Sequence, residues 1–511
     1  MLASLSFALL ATAAVGTTPC ESLKSLSTPQ AVIERAEFVQ AGAFVPPGAE
    51  GLGAAAVGRG AAAAGRGAAP AGAPAAGAPS LPRHCRVVLT LKPASDSKIG
   101  AELWMPAENW NGKFMMMGNG GFAGSIQGYG DMQVALRLGY AAAGSDAGHT
   151  AAEGPNGMFA LGHPEKIVDF SHRAVHETTV TSKLLIKEFY ARAAQYSYFK
   201  GCSTGGRQAV MAAQRFPDDY DGIIGGALAN RHIHMHTAGS ARSIILARNP
   251  DMAVSPAKAQ LVNAAVMNKC DTMKEGFLNN PRQCSFDFST LLCKAEDGDS
   301  CLTKAQLKSV EMFYGGLKNS RGELIFSGQA LGNPLPALRS NQTVNVSDTV
   351  RIWAFQNADY DWHGFDLDRD MPIIDKKIGF VDSVDPDLAR FKAHGGKLFL
   401  YAGWGDTTIT PENTVLYYES VLDKMGKSQG DWMRLFMVPG MAHCRGGEGP
   451  NTFDSIGTLE AWREKGVAPA QLTAANAQSA LSRPLCPYPQ YAKYKGTGNF
   501  KDAVNWTCTA P

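Results

Sequence analysis

The sequence predicts an α/β fold, in which a largely parallel sheet is interrupted by an inserted domain. Apolar runs typical of buried strands alternate with helical stretches over residues 86–227 and again over 397–465. The segment between them instead holds helical stretches, four clustered cysteines and aromatic-rich turns. Near residue 203, one apolar strand runs directly into a helix through a glycine-flanked serine. These features indicate one sheet domain built from two separated parts of the chain.

The N-terminal region contains two stretches of unusual composition. Residues 1–16 are apolar and end in small side chains, which predicts a secretory leader, although no Lys or Arg stands at its start. Residues 17–230 form the first part of the predicted core. Within them, residues 46–82 are mostly Gly, Ala and Pro and can bury too little apolar surface to offset their ordering entropy. We predict a disordered surface loop there.

The remaining elements are predicted in chain order. The first part of the core has strands at 86–91, 99–105, 113–117, 140–143 and 220–227, with a helix near 167–192. Residues 231–372 form the inserted domain, with helices at 256–269 and 303–313. Residues 373–511 complete the core with strands at 397–403 and 432–438 and a helix at 455–465.

The serine at position 203 lies in a Gly-x-Ser-x-Gly motif between an aromatic strand and a helix that begins near Arg207. A strand that turns sharply into a helix at a serine is the nucleophile elbow of α/β-hydrolases. Gly201 and Gly205 let the neighbouring backbone approach, and the amides at the helix N-terminus point toward the serine. The motif predicts Ser203 as a nucleophile on an α/β-hydrolase core.

In α/β-hydrolases the acid and the histidine follow the serine in the chain, in that order. Asp406 comes directly after the strand predicted at 397–403, and His443 comes directly after the strand predicted at 432–438. These are the positions that the fold requires. We predict that His443 takes the proton of Ser203 and that Asp406 orients the His443 imidazole.

A glycine-rich turn, residues 118–124, follows the strand predicted at 113–117. In α/β-hydrolases such a turn supplies part of the oxyanion hole. A nucleotide-binding loop is excluded because no Gly-Lys-Ser/Thr follows and the glycine spacing differs.

The ten cysteines are even in number and include no Cys-x-x-Cys pair, which favours disulfides in an exported protein. Cys202 immediately precedes the predicted nucleophile, and Cys444 immediately follows the predicted base. If the two catalytic side chains converge, these cysteines come within disulfide reach. Such a bridge would stabilise the fold by roughly 4–5 kcal/mol in the chain-entropy model. Two unrelated buried cysteines are the alternative.

Four segments together resemble the tannase and feruloyl esterase family, which also includes bacterial hydrolases of terephthalate monoesters. They are GCSTGG at 201–206, GD at 405–406, PGMAHC at 439–444 and RPLCPYP at 483–489. The resemblance implies an α/β-hydrolase core with a lid domain and a secreted or periplasmic serine esterase. Its substrates would be small aromatic acid esters, feruloyl esters first, with terephthalate monoesters or gallates as alternatives. Catalysis would need no cofactor.

The same resemblance implies roles for further residues. The oxyanion donors would be the backbone amides of Gly121 and Thr204. The disulfides would be Cys202–Cys444, Cys20–Cys85, Cys270–Cys284, Cys293–Cys301 and Cys486–Cys508.

Family lids commonly carry a calcium loop between two bridged cysteines. Here the corresponding stretch is shortened, and the candidate ligands are Asp271, Glu275 and Phe277. A middle acid is missing and Lys274 intrudes, whereas calcium requires six or more oxygen ligands. A structural calcium ion in the lid is therefore expected only if carbonyl groups and water complete the site.

Other interpretations stay open at this stage. The imidazoles of His232, His234 and His236 could lie on one face of a strand, as in a metal-dependent hydrolase; the alternative, which the absence of a nearby Cys or carboxylate favours, is a structural role or the lining of a pocket. Aromatic residues of the insert would form an acyl pocket or simply the core of the lid; they are Trp353, Phe355, Tyr360 and Trp362. A non-catalytic binding module is disfavoured by the complete triad. The formal net charge of +2 argues against nucleic acid or a membrane surface as partner, and the oligomeric state is left open.

Overall fold

The computed structural model describes residues 18–42, 80–340, 344 and 346–511. The predicted leader and residues 46–79 of the predicted loop lie outside the described residues. On the two sides of this gap, Gly42 and Leu81 exchange two backbone hydrogen bonds of 3.1 and 2.8 Å. The two ends of the intervening segment are therefore held side by side.

The described residues contain fifteen strands and eleven α-helices. The strands are β1 (Ala31–Val39), β2 (His84–Leu91), β3 (Ile99–Pro106), β4 (Lys113–Met117), β5 (Ala141–Ser145), β6 (Tyr196–Cys202), β7 (Gly222–Gly226), β8 (Leu317–Lys318), β9 (Leu324–Phe326), β10 (Lys397–Gly403), β11 (Met433–Val438), β12 (Leu472–Asn476), β13 (Leu481–Leu485), β14 (Tyr491–Tyr494) and β15 (Trp506–Thr509). The helices are α1 (Tyr129–Arg137), α2 (Pro164–Val168), α3 (Ala174–Tyr190), α4 (Thr204–Arg215), α5 (His232–Arg248), α6 (Pro256–Cys270), α7 (Lys304–Gly315), α8 (Leu367–Ile378), α9 (Ala389–Ala393), α10 (Pro411–Met425) and α11 (Ser455–Lys465).

Nine strands form one sheet in the order β1-β2-β3-β5-β4-β6-β7-β10-β11. The first four strands in this order pair antiparallel, and every pair from β5 to β11 is parallel. The parallel half is covered on both faces, because alternate residues of β4 enter different cores. Phe114 packs in one core with Phe189 of α3, and Met115 packs in the other with Met132 of α1. Burial on both faces explains why these strands read as continuous apolar runs.

Two helices differ from the sequence-based expectation. α4 begins at Thr204, three residues before the predicted start, with two glycines in its first turn. Gly206 is required there, because a Cβ at this position would lie 2.2 Å from the Gly226 carbonyl oxygen. The helix predicted near 167–192 is divided by a π-helical turn, Asp169–Arg173, where the Asp169 carboxylate binds Ser97 and Arg173.

The insert lies between β7 and β10 and contains α5 to α8 and the short strands β8 and β9. Part of it has its own apolar core, which includes Val254, Val262 and Val310. Another part shares a core with the sheet domain, where Phe159 and Phe170 meet residues of the insert. The predicted domain boundary at residue 372 falls inside α8.

The C-terminal region forms two hairpins, β12–β13 and β14–β15, joined by the Cys486–Cys508 disulfide. The backbone N–H of Tyr488 donates to the Leu435 carbonyl at 2.8 Å, which attaches this region to the sheet edge at β11. Across the described residues, no helix combines the length and the apolar character needed to cross a bilayer.

Candidate active site

Ser203 lies at a sharp turn between β6 and α4, with φ 65° and ψ −121°. This backbone conformation is costly for a residue with a side chain and persists only where the surroundings enforce it. Two hydrogen bonds do so: Ser203 N–H donates to the Gly226 carbonyl at 3.0 Å, and Ala229 N–H donates to the Ser203 carbonyl at 3.3 Å. The sequence-predicted elbow is therefore present in the structure.

Asp406 and His443 lie in two loops at one edge of the sheet, after the parallel neighbours β10 and β11. Their loops are joined by a hydrogen bond from Gly405 N–H to the Met441 carbonyl at 3.0 Å. His443 Nδ1 is 2.8 Å from Asp406 Oδ2. Because a carboxylate only accepts, Nδ1 carries the proton of this bond and Nε2 is left as a base.

The Asp406 carboxylate is held from its other side as well. Its Oδ1 accepts hydrogen bonds from the backbone amides of Thr408 at 2.8 Å and Ile409 at 2.9 Å. The side chain is fully buried, so these three donors replace the water that an isolated carboxylate would need. The acid cannot turn away from His443 without losing them.

A disulfide joins Cys202 to Cys444, with their Cα atoms 5.9 Å apart across 242 positions of sequence. It ties the residue before Ser203 to the residue after His443, so these two segments lie side by side. Among the hydrogen bonds of the described residues, none joins the Ser203 hydroxyl to His443. The remaining cysteines form the four other pairs that the resemblance implies, and none of the ten is free.

The two backbone amides expected in the oxyanion hole belong to segments that contact each other. Thr204 is the first residue of α4, so its N–H has no partner within the helix. Gly121 lies in the turn after β4, and its carbonyl accepts from Thr204 Oγ1 at 2.6 Å. In the part of the chain that the structure describes, neither amide donates to another group. This turn rests on a buried pair, Asn119 and Gln208.

Sequence reasoning did not single out Asn119 or Gln208. The available signal was a pair of polar residues, Arg207 and Gln208, inside a stretch of α4 in which all ten residues from Thr204 to Ala213 are buried. A buried carboxamide needs a partner, but the pattern does not say which one.

The histidine cluster does not form the strand that its alternating sequence suggested. His232, His234 and His236 lie in α5, whose first turn is held by the Asp382 carboxylate accepting from Ile233 N–H at 2.7 Å. His234 turns away and binds the Ile325 carbonyl and Asp375. The expectation of three imidazoles on one strand face was therefore wrong, because a helix separates the middle residue from the other two.

His232 and His236 instead belong to an aromatic cluster beside the elbow. Their ring centroids are 4.4 Å apart, and both rings contact Phe122, the neighbour of Gly121. Burial lowers the pKa of His236 to about 4. Burial and then the His236 and Arg207 charges hold the pKa of His232 well below its usual range. Both rings are neutral near pH 7.

The four aromatic residues proposed for an acyl pocket have different surroundings. Trp353 is buried against Phe122 and donates from Nε1 to the Gly157 carbonyl at 2.9 Å. Phe355 stacks on Tyr360, and Trp362 stacks on the exposed His363. Trp353 is therefore the one of the four that contacts the residue next to Gly121.

The residues proposed for calcium do not fit that ion. Both oxygens of Asp271 accept backbone amides, from Glu275 at 3.1 Å and Gly276 at 2.8 Å. The Glu275 carboxylate accepts from Asn279 and from the fully buried guanidinium of Arg483. A positive group thus already neutralises one of the two acids that calcium would need, and two carboxylates alone supply fewer oxygens than the six that calcium requires.

The chain is similar over most of its length to proteins of known family. A family model described as "Tannase and feruloyl esterase" matches residues 85–509. An uncharacterised esterase of Xanthomonas campestris pv. campestris is 34% identical, over 98% of this chain and 92% of that protein. A probable feruloyl esterase B-2 of Neosartorya fischeri is 31% identical, over 83% of this chain and 86% of that protein.

Solved structures show the same similarity. Feruloyl esterase B from Aspergillus oryzae has a TM-score of 0.81 and 28% identity, covering 96% of this chain and 99% of that one. A tannin acyl hydrolase from Aspergillus niger shares the fold with a TM-score of 0.73 at 20% identity, covering 94% and 92% of the two chains. The predicted α/β-hydrolase fold is confirmed.

Proposed function

Because the chain belongs to the tannase and feruloyl esterase family and is a carboxylic ester hydrolase, we propose that it cleaves small aromatic acid esters through an acyl-enzyme on Ser203. The names of its relatives favour feruloyl-type esters as the first candidates. The observation that carries the proposed mechanism is the bond between His443 Nδ1 and the buried Asp406, beside a disulfide that fastens the histidine loop to the elbow.

In the proposed reaction, His443 Nε2 accepts the hydroxyl proton as Ser203 Oγ attacks the ester carbonyl carbon. The tetrahedral oxyanion is stabilised by the backbone N–H groups of Gly121 and Thr204. When the C–O bond breaks, the imidazolium gives its proton to the leaving alcohol. Water, deprotonated by His443, then attacks the acyl carbon and releases the carboxylic acid and free Ser203. Asp406 stabilises the imidazolium in both halves of the reaction.

The proposed aromatic specificity is supported by the cluster beside Gly121. Phe122 contacts the edge of Trp353 at a centroid distance of 5.5 Å, and two neutral imidazoles lie next to it. Such a wall suits an apolar aryl ring with few polar substituents. Hydrolysis of methyl ferulate, methyl gallate and a terephthalate monoester, measured side by side, ranks the three acyl types.

The mechanism is tested with Ser203→Ala. We expect loss of aryl-ester hydrolysis and loss of covalent labelling by a fluorophosphonate, with Ser243→Ala on the exposed face of α5 as the unchanged control. Hydrolysis by Ser203→Ala at the wild-type rate would contradict the proposal. Activity that disappears with a metal chelator but resists the fluorophosphonate would point to a metal-dependent enzyme.

Export from the cytosol is part of the same proposal. Five disulfides in one chain are typical of an oxidising compartment. We expect the native protein to be recovered from the periplasm or medium, and thiol titration of the unfolded protein to find no free thiol before reduction. Free thiols in protein purified without reductant would contradict this.

A further inference from the structure

The two amides proposed for the oxyanion hole lie on different segments of the chain. Gly121 belongs to the turn after β4, whereas Thr204 begins the helix after β6. The ladder between β4 and β6 ends where Met117 pairs with Lys200, so it does not reach either amide. The distance between the two donors therefore depends on contacts beyond the β4–β6 ladder.

A buried pair of carboxamides joins these segments. The backbone N–H of Asn119 donates to Gln208 Oε1 at 2.9 Å, and Gln208 Nε2 donates back to Asn119 Oδ1 at 3.0 Å. Asn119 Nδ2 donates to the Ser145 carbonyl at the end of β5 at 2.6 Å. Gln208 is 2% and Asn119 4% exposed, so water does not compete for these bonds.

A fourth bond completes the fixation of Asn119. Its carbonyl accepts from the backbone N–H of Gly205 at 2.7 Å. Two residues after Asn119, the Gly121 carbonyl accepts a hydrogen bond from Thr204 Oγ1, which fixes the plane of the peptide between Gly121 and Phe122. The backbone from 119 to 121 is thus attached to the first two turns of α4 at three places, and Gln208 supplies one of them with two hydrogen bonds.

We propose that Gln208 is a positioning residue for the oxyanion hole: through Asn119 it holds the Gly121 amide at the distance from Thr204 that the tetrahedral intermediate requires. This inference rests on the proposed serine mechanism, since the oxyanion forms only if Ser203 attacks the ester. Gln208 does not touch the substrate in this account. Its contribution belongs to the transition state, because the Gly121 N–H is needed most when negative charge develops.

The variant Gln208→Glu keeps the shape of the side chain but removes its N–H donors. A glutamate oxygen would then face Asn119 Oδ1, and two acceptors repel. Asn119 cannot relieve this by rotating its carboxamide, because its oxygen would then face the Ser145 carbonyl. The turn must shift, and the Gly121 amide must shift with it.

The experiment measures kcat and KM for methyl ferulate in wild type, Gln208→Glu and Gln208→Met. The Met variant removes both hydrogen bonds to Asn119 without burying a charge, so it carries the test if the Glu variant does not fold. We expect kcat to fall roughly 10- to 100-fold while KM changes less than about threefold. The matched control is Gln429→Glu. Gln429 is another buried glutamine, and its side-chain oxygen accepts from Trp432 and Lys392 rather than from groups of the site. This variant should lose stability but keep kcat.

A second readout isolates the oxyanion. An aryl trifluoromethyl ketone forms a tetrahedral oxyanion adduct with a reactive serine, and its affinity should fall by about the same factor as kcat.

Unchanged kcat in folded Gln208 variants, or an equal kcat loss in Gln429→Glu, would overturn the positioning role. Labelling by a fluorophosphonate separates this from the mechanism itself: if wild-type Ser203 is not labelled, the serine mechanism fails, and if it is labelled while kcat is unaffected, only the role of Gln208 fails.

Discussion

At the scale of single residues, some groups of the site are buried and held by hydrogen bonds from more than one side. Asp406 is the clearest case, because one oxygen binds two backbone amides and the other binds His443. The carboxylate thus selects the imidazole tautomer that leaves Nε2 free. Its place after β10 was predictable from chain order, but its three donors were not.

Replacing Asp406 by Asn tests this selection. The amide can offer N–H to His443 and so favour the wrong tautomer, and we expect kcat to fall roughly 10³-fold or more with KM little changed. Steady-state kinetics on an aryl ester measures the effect. Asp423→Asn, at an exposed position of α10 paired with Lys427, is the control and should match wild type. A loss under about tenfold would argue against Asp406 as the orienting acid.

The buried imidazole of His236 predicts a pH effect on stability. Its pKa is lowered by burial to about 4 in the folded protein, from 6.5. Below pH 6.5 the unfolded chain therefore binds a proton that the native state does not, so stability falls as pH decreases toward 4. Asp146 and Asp382 act in the opposite direction, because burial raises their pKa values to about 7 and about 6.

Replacing His236 by Phe separates its contribution to the pH dependence of stability from those of the buried carboxyl groups. From pH 7 to pH 4.5 the urea midpoint of wild type should fall more steeply than that of His236→Phe, which lacks the titrating group. The exposed His363→Phe should keep the wild-type slope. Equal slopes in wild type and His236→Phe would contradict the burial of a neutral ring at this position.

At the scale of elements, distant segments are fastened by covalent and ionic links. The Cys202–Cys444 disulfide joins the end of β6 to the loop after β11, and Arg483 of β13 joins the C-terminal hairpin to the loop after α6. The arginine also lies over the Trp506 ring at 3.7 Å and donates to the Phe500 carbonyl. Each link crosses more than 200 positions of sequence.

The double variant Cys202→Ala/Cys444→Ala tests the first link. We expect a loss of unfolding free energy of up to about 5 kcal/mol in the chain-entropy model, together with lower kcat, because the elbow and histidine loop are no longer fastened. Cys486→Ala/Cys508→Ala, which opens a shorter loop within the C-terminal hairpins, should lose stability but keep kcat. Urea unfolding and aryl-ester kinetics measure both. Equal kcat in the two double variants would remove the catalytic part of this role.

The second link predicts that the loop after α6 is independent of calcium. Because Arg483 already pairs with Glu275, neither a chelator nor added Ca²⁺ should shift Tm by more than about 1 °C. Arg483→Met should cost about 3–5 kcal/mol by leaving a buried carboxylate unpaired. The control Arg321→Met, which removes an exposed ion pair with Glu323, should leave stability close to that of wild type. A chelator-induced drop in Tm that Ca²⁺ restores would contradict this prediction.

At the scale of the whole molecule, the loops that carry the site all follow strands of one sheet, and the insert packs against the sheet domain through a shared aromatic core. The sheet edge after β4, β6, β10 and β11 carries Gly121, Ser203, Asp406 and His443 in turn. The opposite flank of the sheet, at β1 and β2, is remote from these strands in the sheet order. Gly42 and Leu81, which flank the glycine- and alanine-rich segment in the chain, lie just after β1 and just before β2 on that flank.

Deletion of residues 46–79, replaced by a short Gly-Ser linker, should therefore leave the fold intact. The two hydrogen bonds between Gly42 and Leu81 already hold the ends together, and shortening a loop costs little. We expect Tm and kcat/KM to stay within about 2 °C and about twofold of wild type. Differential scanning calorimetry and kinetics measure them. Loss of folding would show that this segment contributes to the core.

Much of the architecture was predictable because it depends on local periodicity. Strands such as β4 and β10 have the predicted bounds, since residues buried on both faces form continuous apolar runs. The elbow motif and the chain order located Ser203, Asp406 and His443 in loops after strands. The alternation of the His-x-His-x-His stretch is typical of a strand, but the stretch is helical. Asp382, about 150 positions away in the chain, accepts from the Ile233 N–H in the first turn of this helix.

The sequence by itself determined the sheet domain, the positions of the three residues proposed for catalysis and, through the resemblance of four short segments, the family. Only the tertiary structure decided which distant groups satisfy one another: Gln208 with Asn119, Arg483 with Glu275, and Trp353 with Phe122. The physical reason is that periodicity is a local property of the sequence, whereas the choice of a buried partner depends on residues far apart in the chain. Periodicity records which face of an element is buried, whereas a buried polar or aromatic group is stabilised by whichever partner the folded chain brings within contact distance.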